Sequence, residues 1–438
     1  MAWQASHTKR GRLSPGGTFR ETGAPQVLQK FMARFPSPGL CHKSTGVDKV
    51  VEHFFAPCPR GLEGVLAAEL EELGARDLSS TAGGVGFAGP FSLCYRVNLE
   101  GRIASRVLWR VFHGRYRTEQ DVYQAAYDLP WRDWFAARRT IKIKVSAQHC
   151  PLTSLDYVTL RIKDAVCDKF RAATGARPSV DTRQPDLRID AFLDDQHVTL
   201  YLDTSGEPLF KRGLRKASGE APLRENLAAG ILRLSGWTTE QALLDPMCGG
   251  GTILMEAVLM ARHIAPGLGR RFAFEKLHNF DSKAWSDLCE ASRAAQTPKA
   301  AHAIYGSDRD RRALQAAHAN FKAAGLADAV VLTQADVLDV KPPAAAGVIV
   351  TNPPYGVRLG DQAVLAAFYP RLGDALKRTF AGWRACIFTA DLRLPKLIGL
   401  APSRRTPLFN GALECRLFEF KLVRGTMRRP HGSAQAGP

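Results

Sequence analysis

From residue 53 onward, short apolar runs of period two alternate with stretches whose apolar residues recur every three to four positions. The run HFFAPCPRGLEGVLAAELEELGA predicts a short strand, a turn over 57–61 and a helix. In that helix Leu62, Val65, Leu66, Leu70 and Leu73 share one stripe, and Gly74 is the stop signal. Residues 140–145 alternate strictly, so a strand there faces Ile141, Ile143 and Val145 one way and Lys142 and Lys144 the other. A further strand over 198–202 ends at Asp203. Small α+β units therefore account for the chain up to about residue 205. A basic, glycine-containing connector over 206–220 leads to a helix at 222–234.

Beyond this point the pattern changes. Strands at 242–244, 303–306, 330–333 and 347–350 alternate with helices, among them one opened by DPMCGGGT and running to about 260, and one closed by Gly325. Strand–helix alternation implies right-handed crossovers and a doubly wound, mostly parallel sheet, whose ligands bind at the carboxyl ends of its strands. Each unusual motif of this half falls at such an end.

Residues 1–50 show neither period, are rich in Gly, Pro and Ser, and hold eight basic but two acidic side chains, Glu21 and Asp48. They read as a basic disordered extension, and 425–438 as a disordered basic tail. The organisation expected is thus 1–50 extension, 51–205 α+β region, 206–220 linker, 221–424 α/β domain and 425–438 tail.

The chain has 438 residues and a net charge of +18, which favours a polyanionic partner. Residues 51–205, however, hold 20 basic and 20 acidic side chains, so any nucleic-acid contact there needs an uneven surface rather than a global surplus. No apolar stretch approaches a bilayer span, so no membrane partner is expected. The nine cysteines are scattered without a CxxC pair, and no two of the eleven histidines stand four apart. Reduced thiols in a cytoplasmic protein, with no metal, are the reading.

In Asp245-Pro246-Met247-Cys248-Gly249-Gly250-Gly251-Thr252 three glycines allow close backbone approach to a ligand, and the helix that follows offers free N–H groups. Leu254 stands where the third glycine of a dinucleotide fingerprint would fall, and no Gly-Lys-Ser/Thr follows, so neither an NAD loop nor a Walker loop fits. Asp308, ending the second strand, can accept from both hydroxyls of a ribose. Asp336, ending the third, can accept from an adenine amino group; either acid can equally cap a helix. Asn352-Pro353-Pro354-Tyr355 follows the fourth strand. Its two prolines fix an extended backbone, holding the Asn and proline carbonyls where both accept from a planar exocyclic amine, with the Tyr ring free to stack on the base. Lys142, Lys144, Arg212 and Arg215 are candidate contacts to the phosphates of a nucleic acid, the lysines competing with an ordinary solvated strand face.

The loop Asp-Pro-x-Cys-Gly-x-Gly-Thr together with Asn-Pro-Pro-Tyr-Gly resembles the class I S-adenosylmethionine-dependent amino-methyltransferases. CPRGLEGVLAAELEELGA, LDTSGEPLFKRGLR, EAPLRENLAAGIL, IAPGLGR and NPPYGVRLG narrow the resemblance to the THUMP-domain 23S rRNA guanine-N2 methyltransferases of bacteria, over residues 52–424. The resemblance implies ferredoxin-like and THUMP domains before a Rossmann-like methyltransferase domain acting on 23S rRNA or the assembling large subunit; a monomer is expected, although the sequence does not fix the oligomeric state. It implies S-adenosylmethionine as cofactor, with Asp245, Gly249 and Gly251 around its methionine portion, Asp308 on the ribose and Asp336 on the adenine. Asn226 is expected beside the cofactor. Asn352, Pro353 and Tyr355 are expected to grip a flipped guanine. Cys248 is expected to pack rather than react. The triple glycine departs from the Gly-Ser-Gly of many relatives. A DNA adenine-N6 methyltransferase, which shares the NPPY motif, and a non-catalytic RNA-binding assembly factor stay open as alternatives.

Overall fold

The computed structural model describes residues 51–214, 223–354 and 359–423. The expected extension over 1–50, the tail over 425–438, Arg215 and Tyr355 lie outside these residues.

The first half builds one seven-stranded sheet from β1 (Glu52–Pro57), β2 (Arg76–Thr81), β3 (Gly84–Gly89), β4 (Leu108–Arg115), β5 (Ile141–Ala147), β6 (Leu187–Leu193) and β7 (His197–Asp203), ordered β2-β3-β1-β4-β7-β6-β5. Helices α1 (Glu63–Glu72) and α2 (Leu93–Glu100) accompany its first four strands, and α3 (Glu119–Tyr127), α4 (Trp131–Trp134) and α5 (Leu155–Thr174) the rest. The alternation expected for 140–145 holds: Ile141, Ile143 and Val145 pack with core side chains, whereas Lys144 is exposed. Local signals fix the helix ends. Thr118 and Asp121 form a capping box on α3, Ser154 accepts from the Tyr157 N–H at the start of α5, and Gly175 closes α5 at φ 73°. The two expected small units share this one sheet. Strand β4 is the seam, pairing antiparallel with β1 at Phe54–Trp109 and with β7 from Leu108–Asp203 to Arg115–His197.

The Gly267 N–H donates to the Leu99 carbonyl at 2.8 Å and Arg102 to the Ile264 carbonyl at 2.7 Å, fastening this half to the second, and buried polar bonds hold the end of β7. Asn98 donates to Thr204 Oγ1 at 2.9 Å and accepts from Ser205 Oγ at 2.6 Å, both buried, and Arg106 pairs with the buried Asp203. Beyond Ser205, the connector is not a free basic strap. Leu209 is buried, and its N–H donates to the Ser105 carbonyl at 2.9 Å. Helix α6 (Glu225–Leu234) follows.

The second sheet holds β8 (Ala242–Asp245), β9 (Ile304–Asp308), β10 (Val330–Gln334), β11 (Gly347–Thr351), β12 (Arg384–Thr389), β13 (Arg404–Asn410) and β14 (Leu413–Lys421), ordered β10-β9-β8-β11-β12-β14-β13. Its first five strands in chain order are parallel to one another, and β14 runs antiparallel to both β12 and β13. The doubly wound sheet read from the sequence is therefore present. Helices α7 (Thr252–Ala261), α8 (Ser282–Ala294), α9 (Arg311–Ala323) and α10 (Leu359–Thr379) connect the strands. The chain leaves β8 toward β9 and β10, then returns to β11 on the other side of β8. Strand order thus reverses between β8 and β11, and the crevice at such a switch point is where ligands bind. Among the described residues no helix is long and apolar enough to cross a membrane, and no group of three His, Cys, Asp or Glu side chains is placed to hold a metal ion.

Candidate active site

The strand β8 is buried throughout and delivers Asp245 to its carboxyl end with 2% exposure. Asp245 Oδ1 accepts from Thr351 Oγ1 at 2.7 Å and from the Met247 N–H at 3.2 Å. Burial raises its carboxyl from 3.8 to about 7; the Thr351 hydroxyl opposes that rise, and the neighbouring Asp308 adds to it. The loop after Asp245 turns through two left-handed glycines, Gly249 at φ 52° and Gly251 at φ 80°, the latter capping α7. A Cβ on Gly251 would come within 3.1 Å of the Phe321 ring, so that glycine serves packing. A Cβ on Gly249 would meet nothing within 4 Å, so that glycine leaves open space beside the loop.

The loop is latched to its neighbours. The Cys248 N–H donates to the Ser307 carbonyl at 3.0 Å, the Gly249 N–H to Asp308 Oδ2 at 2.9 Å, and the Asn320 amide to the Gly250 carbonyl at 3.1 Å. Asp308 Oδ1 also accepts from the Asp310 N–H at 2.9 Å. A carboxylate has about four acceptor sites, so two remain for ligand hydroxyls. Asp336 lies just past β10, half-buried, with Oδ1 accepting from the Leu338 N–H at 3.0 Å; the adjacent Ala335 N–H donates to the Asp308 carbonyl at 3.1 Å. Pro246 and Cys248 are buried, Met247 packs against the second core, and Thr252 is the first residue of α7. Desolvation drives the Cys248 thiol far above its ordinary value, so it fills space as expected and has no thiolate with which to attack. A small cavity beside the loop is lined by Gly250, Gly251, Thr252, Met255, Glu225 and Asn320.

Across the switch point, β11 ends in the buried Thr351 and is followed by Asn352, Pro353 and Pro354, of which Pro353 is buried and Pro354 exposed. The Asn352 Oδ1 atom is buried and has no hydrogen-bond partner among the described residues. An unmet buried acceptor costs about 1–3 kcal/mol. A donor group from a ligand would recover that cost.

One expected site residue turns out otherwise. Arg212 was read as a phosphate contact, but its side chain is 2% exposed. It donates to Glu256 Oε1 at 3.1 Å and to the Leu209 and Arg102 carbonyls at 2.7 and 2.8 Å. A buried carboxylate claims it, and no sequence signal linked two residues 44 positions apart. Asn226 was expected beside the cofactor. It is fully buried, and its amide donates to the Ile103 carbonyl at 3.2 Å and Ser105 Oγ at 3.0 Å, fastening α6 to the loop before β4, while its Oδ1 has no hydrogen-bond partner among the described residues. Lys144 stays exposed, and Lys142 Nζ donates to the Thr182 carbonyl at 2.8 Å. Sequence reasoning missed Thr351 and Asn320. Thr351 directly precedes the Asn-Pro-Pro run, and Asn320 is a polar residue on the buried stripe of α9, which are the signals that mark them.

Comparison with known proteins accords with this arrangement. Residues 212–419 match the RMKL-like methyltransferase domain, 116–203 the THUMP domain and 53–108 the RlmL ferredoxin-like domain. A Synechocystis sp. protein named as an RNA methyltransferase is 38% identical over 370 residues, covering 84% of this chain and 96% of its own length. Ribosomal RNA large subunit methyltransferase K/L of Shewanella oneidensis is 39% identical over 382 residues, 86% of this chain but 54% of that protein; the chain thus spans about half the length of such relatives. The crystal structure of SMU.472, described as a methyltransferase complexed with SAH, superposes with a TM-score of 0.78 at 29% identity, over 86% of this chain and 99% of that one.

Proposed function

The chain belongs to the THUMP-bearing family of RMKL-like methyltransferases, and from that membership we propose that it methylates the exocyclic N2 amine of a guanine in large-subunit ribosomal RNA. S-adenosylmethionine, when bound, supplies an electrophilic methyl group. The residues present suit it: the latched glycine loop leaves open space at Gly249, Asp308 keeps acceptor capacity for a ribose, and Asp336 stands one strand further for an adenine amine.

The observation that carries the reading is the buried, unpartnered Oδ1 of Asn352. A guanine amine is a poor nucleophile because its lone pair is delocalised into the ring. Asn352 Oδ1 and the Pro353 carbonyl accept its two N–H groups, which localises electron density on nitrogen and orients it; the surplus proton leaves after transfer. Pro353 and Pro354 fix the backbone so that the acceptors need no reordering. The base must leave its stack to reach them, and Tyr355 is the ring that would stack on it. The inert Cys248 thiol accords with amino methylation, which needs no covalent adduct.

The test is to incubate the chain with labelled cofactor and total RNA from cells lacking it, then map the product by mass spectrometry. N2-methylguanosine at one site is expected, and Asn352→Ala should abolish it while leaving RNA binding nearly unchanged. Label in N6-methyladenine, or full activity in that variant, would overturn the reading.

A further inference from the structure

The seven strands of the first sheet present two chemically opposite faces. One face carries Phe54, Phe87, Trp109, Ile189 and Leu200 and belongs to the cores under the helices. The registers define the other. Arg110 lies opposite Tyr201, Tyr201 opposite Asp190 and Asp190 opposite Lys144, while His113, Thr199, Phe192 and Ser146 form the next row. Phe55 continues this face on β1, opposite Gly86, and its ring centroid lies 6.2 Å from that of Tyr201. A Cβ on Gly84 would collide with the Phe55 ring at 2.4 Å, so the glycines of β3 make room for that ring on this face. None of Phe55, Tyr201 and Phe192 belongs to a core cluster, and Phe192 is 37% exposed.

Residues 51–205 are neutral in sum, and their charge is unevenly placed: α1 carries Glu63, Glu69, Glu71 and Glu72 and no base, whereas α5 mixes Asp156, Asp164 and Asp168 with Arg161, Lys163, Lys169 and Arg171. On the open face Asp190 is matched by Arg188 at 2.6 Å and the buried Asp203 by Arg106. Lys144, Arg110 and Arg115 carry no ion pair among the described residues there, beside three aromatic rings. Interleaved cations and rings on a pleated surface suit a chain with a phosphate backbone and unpaired bases, since stacking needs bases free of a duplex.

We propose that this open sheet face, continuous from the ferredoxin-like strands into the THUMP strands, docks a single-stranded stretch of the RNA substrate. Its phosphates run along Lys144, Arg110 and Arg115, and its bases stack on Phe192, Tyr201 and Phe55. The proposal rests on the RNA-methyltransferase reading above. It also answers how a neutral half can hold RNA: Lys144, Arg110 and Arg115, without ion-pair partners among the described residues, share one sheet face with aromatic rings.

Fluorescence anisotropy with a fluorescein-labelled single-stranded RNA of about a dozen nucleotides, and with its duplex, tests this on the full chain. Lys144→Glu/Arg110→Glu should weaken single-strand binding at least tenfold and reduce the salt slope by roughly 0.7 per lost phosphate contact. Phe192→Ala should weaken it at least about fivefold and leave the duplex nearly unaffected. Arg161→Glu/Lys169→Glu, on the helical face, should bind as wild type. Circular dichroism and cofactor binding confirm that each variant is folded. If the open-face variants bind as wild type while wild type methylates RNA, this proposal falls and the catalytic reading stands. If the wild-type chain neither binds nor methylates RNA, both fall.

Discussion

Thr351 Oγ1 donates to Asp245 Oδ1 at 2.7 Å, with both side chains buried, and so joins the last residue of β11 to the last residue of β8. This bond spans the point where strand order reverses. It sets the first residue of the glycine loop against the residue preceding Asn352, so the two halves of the site share one fixed origin.

Thr351→Val keeps the shape but leaves a buried carboxylate without its hydroxyl donor. The expected cost is about 1–3 kcal/mol of stability. A fall in kcat of tenfold or more should accompany it, because Asn352 loses its reference to the loop. Thr351→Ser should recover most of both. Chemical denaturation and steady-state methylation separate the effects; a Val variant with wild-type kcat would show that the bond does not position Asn352.

Burial holds the Asp245 carboxyl at about 7, well above its ordinary 3.8. Between those values the folded state binds a proton that the unfolded state has released, so Asp245 lowers stability as pH rises through this window. The full effect is roughly 4 kcal/mol, reached above pH 7. Asp245→Asn removes the titration. Relative to wild type, the variant should gain stability between pH 5 and pH 8, while losing methyl transfer. The wild-type-minus-variant difference is the quantity to measure, since burial also raises Asp203 to about 6. A pH-independent difference in urea unfolding would contradict the assignment.

The two left-handed glycines separate packing from ligand space. Either Gly→Ala change costs about 1–2 kcal/mol in backbone strain. Gly251→Ala should cost more, because the new methyl presses on Phe321. Gly249→Ala meets no neighbour, so its further effect should appear in cofactor affinity, measured by calorimetry, with the melting temperature less affected than for Gly251→Ala. The reverse ranking would place the ligand away from Gly249.

Much of the catalytic half was legible because its signals are local. A buried strand, then Asp245, then three glycines, then an apolar helix can be read without knowing the fold, and so can Asn352 after β11. The sheet of the first half was less legible. Strand β2, Arg-Asp-Leu-Ser-Ser-Thr, buries almost none of its side chains, and β3 carries three glycines, so neither shows the alternation that marks a strand. Pairings distant in sequence were not legible at all. The Thr351 to Asp245 bond and the Arg212 to Glu256 pair exist only once the chain has folded, and a basic connector gives no sign that one of its arginines turns inward.

Arg212 gives the last prediction. Its side chain is 2% exposed and that of Glu256 is fully buried, so the pair is desolvated, and three further contacts are at stake: the carbonyls of Leu209 and Arg102, and Glu256 Oε2 at 3.4 Å. Removing one partner strands the other charge, at a cost of about 3–5 kcal/mol. Arg212→Ala should therefore lower the melting temperature markedly, whereas the salt slope of RNA binding, measured below the melting point, should not change. A phosphate contact would give the opposite result, a shallower slope with stability intact. Replacing both partners, Arg212→Met with Glu256→Leu, removes the stranded charge and should restore much of the lost stability. That recovery distinguishes a desolvated pair from a side chain whose role is to meet RNA.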